Sequence, residues 1–247
     1  MIGKRVLAAL TLVLPVASAA DNEEGIGAHM DANSVTAETP TKCIRDGDSW
    51  TYSVTGFFAG GFRVCPLSGK LRYAASSSAR VVPESPEVLA LSYDLDLAGG
   101  GRPFPDRGVI YLHQHRDGTL VEHGTEADGW IERGPVQYLP GTLSTGFRSE
   151  RDFTYVNGAA ERGVINVAAF REIETPAGEY RGFKVEDRHR RTEPDGAYSK
   201  VNDTGWFVPE LGFFARGTVT IRSYDAQGRF QHFQLHGFQL ERTTVTE

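Results

Sequence analysis

The residues whose types and spacing suit chemistry crowd into one segment, Tyr111-Leu112-His113-Gln114-His115-Arg116. It turns at Asp117-Gly118 into Thr119-Leu120-Val121-Glu122-His123. A two-residue turn at Asp117-Gly118 pairs Arg116 with Thr119, His115 with Leu120 and His113 with Glu122. Side chains alternate along a strand, so this register places His113, His115 and Glu122 on one face and His123 on the other. Two imidazoles and a carboxylate on one face form a donor set for a metal ion. The competing reading is a solvated hairpin tip. Residues two apart on a strand sit ~6.5 Å apart at the backbone, whereas each ligand must approach the ion to about 2 Å.

Two other polar runs carry weaker signals. Arg188-His189-Arg190-Arg191 suits an anion, or simply a solvated strand end before the Pro194-Asp195-Gly196 turn. In Phe230 to Phe238, alternation predicts Phe233 and Leu235 inward, His232 and Gln234 outward, with a bulge near Gly237. Catalytic patterns are absent from the sequence: no G-x-S-x-G elbow, no H-E-x-x-H, no Ser-x-x-Lys with partner motifs, and no glycine-rich segment opening a helix. No catalytic residue is assigned, and a non-enzymatic role is favoured.

The elements that position these residues are strands. Trp50, Tyr52 and Val54 alternate with Ser49, Thr51 and Ser53; Leu89, Leu91, Tyr93, Leu95 and Leu97 alternate with small or acidic residues. Further strands are expected over Phe153 to Val156, Gly163 to Glu174, Tyr180 to His189, Ala197 to Phe207, Phe213 to Tyr224 and Phe230 to Leu240. Turn signals separate them, among them Ser68-Gly69, Asp128-Gly129, Asn157-Gly158 and Gln227-Gly228. No sustained helical period occurs. The expected fold is all-β and mainly antiparallel: a strongly curved sheet, half-barrel or barrel, with little helix.

The N-terminus addresses this body outside the cytoplasm. Lys4 and Arg5 precede an uncharged, mostly apolar run from Val6 to Val16, and Ala17-Ser18-Ala19 offers a small-x-small cleavage pattern. The run is shorter than the ~20 residues a membrane-spanning helix needs. The expected organisation is a signal peptide over 1–19, a flexible acidic tether over 20–42 and a single β-domain over 43–247, periplasmic or secreted. No transmembrane segment is expected after cleavage. Losing Lys4 and Arg5 leaves 24 basic residues against 32 acidic, a net charge of −8 that argues against nucleic acid as a partner. In an oxidising compartment the only two cysteines, Cys43 and Cys65, are expected to form one disulfide clipping the chain to the first hairpin.

Two segments carry a resemblance: Glu174-Thr175-Pro176-Ala177-Gly178-Glu179-Tyr180-Arg181-Gly182-Phe183-Lys184-Val185, and Gly205-Trp206-Phe207-Val208-Pro209-Glu210-Leu211-Gly212-Phe213-Phe214-Ala215-Arg216. These TPAG-type and W-x-x-P-x-x-G turn-strands are similar to those of uncharacterised bacterial periplasmic β-proteins. More distantly, they resemble the Lol-type lipoprotein carriers with their half-open antiparallel sheet. The resemblance implies fold and compartment and transfers no catalytic residue. Together the readings describe an exported binding module for an apolar ligand or an envelope protein. The alternative is a metal-binding protein or metal-dependent hydrolase using His113, His115 and Glu122. No cofactor is expected beyond that metal ion.

Overall fold

The structure is a computed structural model that describes residues 39–61, 63–77, 88–99 and 102–245. The signal peptide and most of the expected tether therefore lie outside the described residues. The described chain is all-β and antiparallel, and its one helical element is a single 3-10 turn, Pro209–Leu211.

Fifteen strands follow in order among the described residues. They are β1 (Thr39–Pro40), β2 (Ser49–Gly60), β3 (Arg63–Ser77), β4 (Leu89–Gly99), β5 (Arg102–Gln114), β6 (Leu120–Thr125), β7 (Gly129–Trp130) and β8 (Val136–Leu139). Then come β9 (Thr142–Leu143), β10 (Arg148–Thr154), β11 (Ala160–Thr175), β12 (Gly178–Thr192), β13 (Tyr198–Val208), β14 (Phe213–Tyr224) and β15 (Phe230–Thr244). Two meanders, β2 to β7 and β10 to β15, join where the last strand pairs with β2, Phe238 opposite Val54 and Leu240 opposite Tyr52. The result is one 13-stranded sheet ordered β10-β11-β12-β13-β14-β15-β2-β3-β4-β5-β6-β7, with β8 on β6. Among the described residues no ladder closes it. Beyond its two ends, Ile131 and Tyr155 form an isolated bridge, flanked by Glu132 N–H to Thr154 O at 2.9 Å and Val156 N–H to Trp130 O at 2.9 Å.

Period-two alternation sorts the sheet into faces. Trp50, Tyr52, Leu71, Tyr73, Leu91, Leu95, Phe183, Val201, Phe213, Val219, Phe238 and Leu240 are buried together on the inner face. Their rings interlock: Trp50 stacks on Phe213 at 4.5 Å, Tyr52 meets Phe238 at 5.0 Å and Tyr73 meets Phe213 at 5.2 Å. Tyr52 keeps its hydroxyl paired by donating to Phe214 O at 2.8 Å. Large rings lose little conformational entropy for the apolar area they bury, which is why a sheet can be filled this way without helices.

The two turn-strand motifs act locally as their residues dictate. Pro176-Ala177 is the two-residue turn between β11 and β12, Thr175 opposite Gly178. Pro209 ends β13, and Gly212, at φ +63°, re-enters as β14; a Cβ there would lie 2.5 Å from Lys42 O. The N-terminal segment lies across this corner, Lys42 N–H bonding Pro209 O at 2.8 Å, while Thr39 and Pro40 pair with Leu143 and Thr142. Ser68-Gly69 is not a turn. Gly69 sits inside β3, where a Cβ would lie 1.9 Å from Asp96 O of β4, so the glycine serves close approach between strands.

The Cys43–Cys65 bridge does not form; both cysteines are free. Cys43 lies between Lys42 and Ile44, which are fastened to Pro209 and Gln114 near the start of β2. Cys65 pairs opposite Phe58, and at about 3.3 Å per residue the strand carries that point roughly 30 Å from Ser49. The hairpin turns at Gly60-Gly61, as its residues suggest, but its far end leaves Cys43 behind. The purified, denatured protein is therefore expected to titrate two thiols before any reductant is added, and its melting temperature to be unchanged by reductant.

Candidate functional site

The histidine hairpin folds with a different register from the one expected. Its connection is a five-residue loop, His115 to Thr119, with His115 N–H bonded to Thr119 O and Gly118 N–H to His115 O, both at 2.8 Å. Arg116 and Asp117 are the turn's central residues, Gly118 follows at φ +88°, and Asp117 Oδ1 accepts from Thr119 N–H at 2.9 Å. This three-residue turn with its bulge replaces the two-residue turn. His113 thus faces Val121, and Glu122 faces Leu112 on the buried side. A second irregularity between Tyr111 and Leu112 brings His123 round to the histidines. The rings of His113 and His115 meet edge to face at 4.7 Å, with His123 6.2 Å from His113. Glu122 and His123 have exchanged the faces assigned to them, and the His113, His115, Glu122 site is not assembled. Among the described residues no group of three His, Cys, Asp or Glu side chains is arranged to hold a metal ion. Burial, reinforced by the two neighbouring imidazoles, holds His123 below the usual histidine range.

Glu122 instead joins a buried ionic network at the meeting of the sheet's two ends. Its hub is Arg151 on β10, 2% exposed. Arg151 donates from Nη1 to Asp187 Oδ2 at 3.0 Å and from Nη2 to Glu161 Oε2 at 2.5 Å, and Nη2 lies 3.6 Å from Glu122 Oε2. Its guanidinium also sits over the rings of Tyr138 and Phe153. Tyr155 donates to Glu122 Oε1 at 2.9 Å. Asp187 is held by His189 Nδ1 at 2.9 Å. Arg191 extends the network to Asp128 Oδ1 at 2.7 Å, Glu161 Oε1 at 3.4 Å and Glu193 Oε1 at 2.8 Å. Asn157 Nδ2 and Thr125 Oγ1 complete Asp128's shell at 2.9 Å each. Strands β6, β10, β11 and β12 are thereby tied through side chains where the backbone ladder stops.

Four buried carboxylates face two arginines, and the imbalance falls on Glu122. Burial raises it to about 7, with Glu161 and Asp187 adding repulsion and Arg151 and the Tyr155 hydroxyl opposing. Burial also presses on Asp187, but Arg151 and His189 outweigh it and hold that carboxyl below the usual range. A proton on Glu122 near neutrality thus brings the network toward balance. Glu122 and Glu161 are sealed from solvent at 3% and 0% exposure, so the geometry describes an ionic joint between strands.

Alternation explains what the sequence left open. Of Arg188-His189-Arg190-Arg191, His189 and Arg191 point inward to the network while Arg188 and Arg190 point out. On β15 the faces are the reverse of those expected: Gln234 and His236 are buried, bonded to each other at 3.1 Å, and Phe233 and Leu235 lie outside. Pairing with β2 sets this parity, and the bulge falls between Leu240 and Arg242, beyond Gly237. Burial lowers His236 to about 4. A trough of about 390 Å³ lies over Gly108, lined by charged residues including Arg72, Asp94, Arg107 and Glu126.

No protein-family profile and no curated protein match the chain. Among solved structures it is similar to a predicted exported protein of Bacteroides fragilis with a YmcC-like fold (TM-score 0.38, 16% identity, 83% of this chain and 99% of that one). It is also similar to a predicted lipoprotein of Parabacteroides distasonis (TM-score 0.40, 13% identity, 84% and 100%). A third is DynF from the dynemicin biosynthesis pathway of Micromonospora chersina (TM-score 0.26, 12% identity, 92% and 94%). Likeness at this level assigns neither family nor function. No helix of the described residues is long and apolar enough to cross a membrane.

Two outcomes follow from the joint. Arg151→Met, which strands three buried carboxylates, is expected to lower unfolding stability by about 3–5 kcal/mol, whereas Arg162→Met in the exposed Arg162–Asp152 pair changes it by at most about 1 kcal/mol. Denaturant titration of both variants checks this. Between the ordinary value of 4.5 and about 7 the folded protein keeps a proton on Glu122 that the unfolded chain releases. That contribution is complete below pH 4.5 and is lost as pH rises through about 7; Asp187 works in the opposite sense, losing its contribution as pH falls below 3.8. Glu122→Gln is expected to flatten the decline in stability across this upper window, by up to about 3 kcal/mol, in urea unfolding measured against pH.

Proposed function

We propose that this chain is an exported cell-envelope protein whose sheet, bent as an open half-barrel, works as a binding module and meets its ligand on the outside. The observation that carries this reading is the contrast between the two faces. The inner face is filled by interlocked aromatic rings and the ionic joint. On the outer face Val64 is 71% exposed and Phe230 54% exposed, and the half-buried rings of Phe57 and Phe233 lie 5.5 Å apart. Contiguous exposed apolar patches rimmed by polar residues mark interaction surfaces. Arg151 on β10 reaching Glu122 on β6, across the ends of the sheet, supports the half-barrel shape. The signal-type N-terminus supports export.

The test uses the protein expressed in its own host. A processed chain starting at Ala20 or Asp21, released by osmotic shock, is expected by mass spectrometry. A photoreactive residue at Phe230 is expected to capture an apolar ligand or an envelope protein, and the Phe57→Ser/Phe230→Ser variant to lose a co-isolating species seen with wild type in native mass spectra. An unprocessed cytoplasmic chain, or identical spectra for both proteins, overturns the reading.

A further inference from the structure

On the outer face of β11 to β14, four cations stand directly opposite one another on successive strands. Arg162 pairs with Arg190, Arg190 with Lys200, and Lys200 with Arg222. The row then continues into Phe233 and Ala59. All four cations are exposed. With neighbouring strands ~4.8 Å apart, they make a straight line of positive charge roughly 14 Å long. Like charges directly opposite on a sheet are destabilising. This chain has 32 acidic residues to 26 basic, so carboxylates to intersperse are plentiful. Asp152 pairs with Arg162 at 3.0 Å. Among the described residues no carboxylate forms an ion pair with Arg190, Lys200 or Arg222.

Aromatic rings steady these cations instead. The rows alongside hold Tyr198 opposite Tyr224 and Tyr224 opposite Phe230. The tyrosine rings stack at 4.7 Å, the Arg190 guanidinium lies 3.8 Å above Tyr198, Lys200 is 5.7 Å from the Tyr224 ring, and Arg222 is 5.4 Å from Phe233. A ring face attracts a cation without neutralising it, so Arg190, Lys200 and Arg222 are held in place with their charge undiminished, while Asp152 partly neutralises Arg162 at the end of the row. On its other flank stand Asn202 and Thr220, opposite each other and bonded weakly at 3.4 Å, offering amide and hydroxyl groups.

We propose that this row, with Asn202 and Thr220 beside it, binds a linear anionic polysaccharide laid across β11 to β14. The proposal rests on the outer face being the binding face, and it adds a second class of ligand beside the apolar patch. A single small anion would favour a concave nest of donors; a flat line of charges matches a polymer carrying acidic groups at intervals. The neighbouring amide and hydroxyl suit the sugar hydroxyls between those groups. An anionic membrane surface, far wider than the row, would also meet the net negative charge of the rest of the chain.

Calorimetric titration of the processed protein with alginate oligomers, a linear polyuronate, tests it. Alginate is expected to bind with affinity that falls as salt rises, and neutral dextran not to bind. Lys200→Glu/Arg222→Glu is expected to weaken binding about tenfold or more. Asn202→Ala/Thr220→Val is expected to weaken it severalfold without altering the salt dependence. Arg116→Glu, on the β5–β6 turn, leaves it unchanged. Should the charge-reversed protein melt early, Lys200→Gln/Arg222→Gln serves in its place and is expected to show a shallower salt dependence. Equal affinity of wild type and these variants overturns the proposal, as does tighter binding to single-stranded DNA or to phosphatidylglycerol vesicles. Loss of alginate binding in a protein that still captures a species at Phe230 removes this ligand class and leaves the outer face as the binding face.

Discussion

Three carboxylates from three strands converge on the guanidinium of Arg151, and the sheet's arrangement depends on that convergence. A ladder of backbone hydrogen bonds needs two strands side by side along their length. Where β7 and β10 approach, the bridge between Ile131 and Tyr155 is the only one made among the described residues, so side chains hold the ends. Ionised groups are costly to bury, and each is tolerated here because several partners share it. Arg151 also lies on the rings of Tyr138 and Phe153, which exclude the water that would otherwise screen it. The desolvation cost of burying such a joint offsets much of its attraction, so its geometry is better defined than its net contribution to stability.

Stability in the ordinary sense comes from the other half of the inner face. Trp50, Tyr52, Tyr73, Phe213 and Phe238 are almost wholly buried. Truncating any one such ring costs about 3–5 kcal/mol, comparable to breaking the ionic hub. The two halves differ in specificity: rings can repack with neighbours of similar volume, whereas a carboxylate without Arg151 has no second partner of equal strength. An apolar half that drives collapse thus adjoins a charged half that selects one pairing of the sheet's ends.

The strands were legible because their pattern is local. Trp50-Tyr52-Val54 and Leu91-Tyr93-Leu95 declare a face by alternation alone, and the turn from Pro176 to Gly178 declares its own geometry. Register was not. Whether Asp117-Gly118 makes a two-residue or a three-residue turn is a small difference in local energy, yet it moves Glu122 from the histidines to Arg151. On β15 the choice between Phe233 and Gln234 as inward residues was set by β2, distant in sequence. The disulfide expectation failed for a geometric reason: spacing along the chain ignores how far a twelve-residue strand travels. The network from Asp128 to Arg191 was hidden because carboxylates and arginines pair across a sheet by topology. One signal was available, since period two applied to Arg188-His189-Arg190-Arg191 separates the inward pair from the outward pair. Net charge obscured the outer row, because a sum over 247 residues says nothing about which cations share a face.

The pairing of β15 with β2 has a kinetic consequence. The first long strand is completed by the last, so translation must finish before β2 gains its second neighbour. Contacts of such long sequence separation slow folding, and an apolar strand with an open edge waits meanwhile for its partner. A chain wired this way stays unfinished while it is being synthesised, and its sheet is completed only after the last long strand has been made.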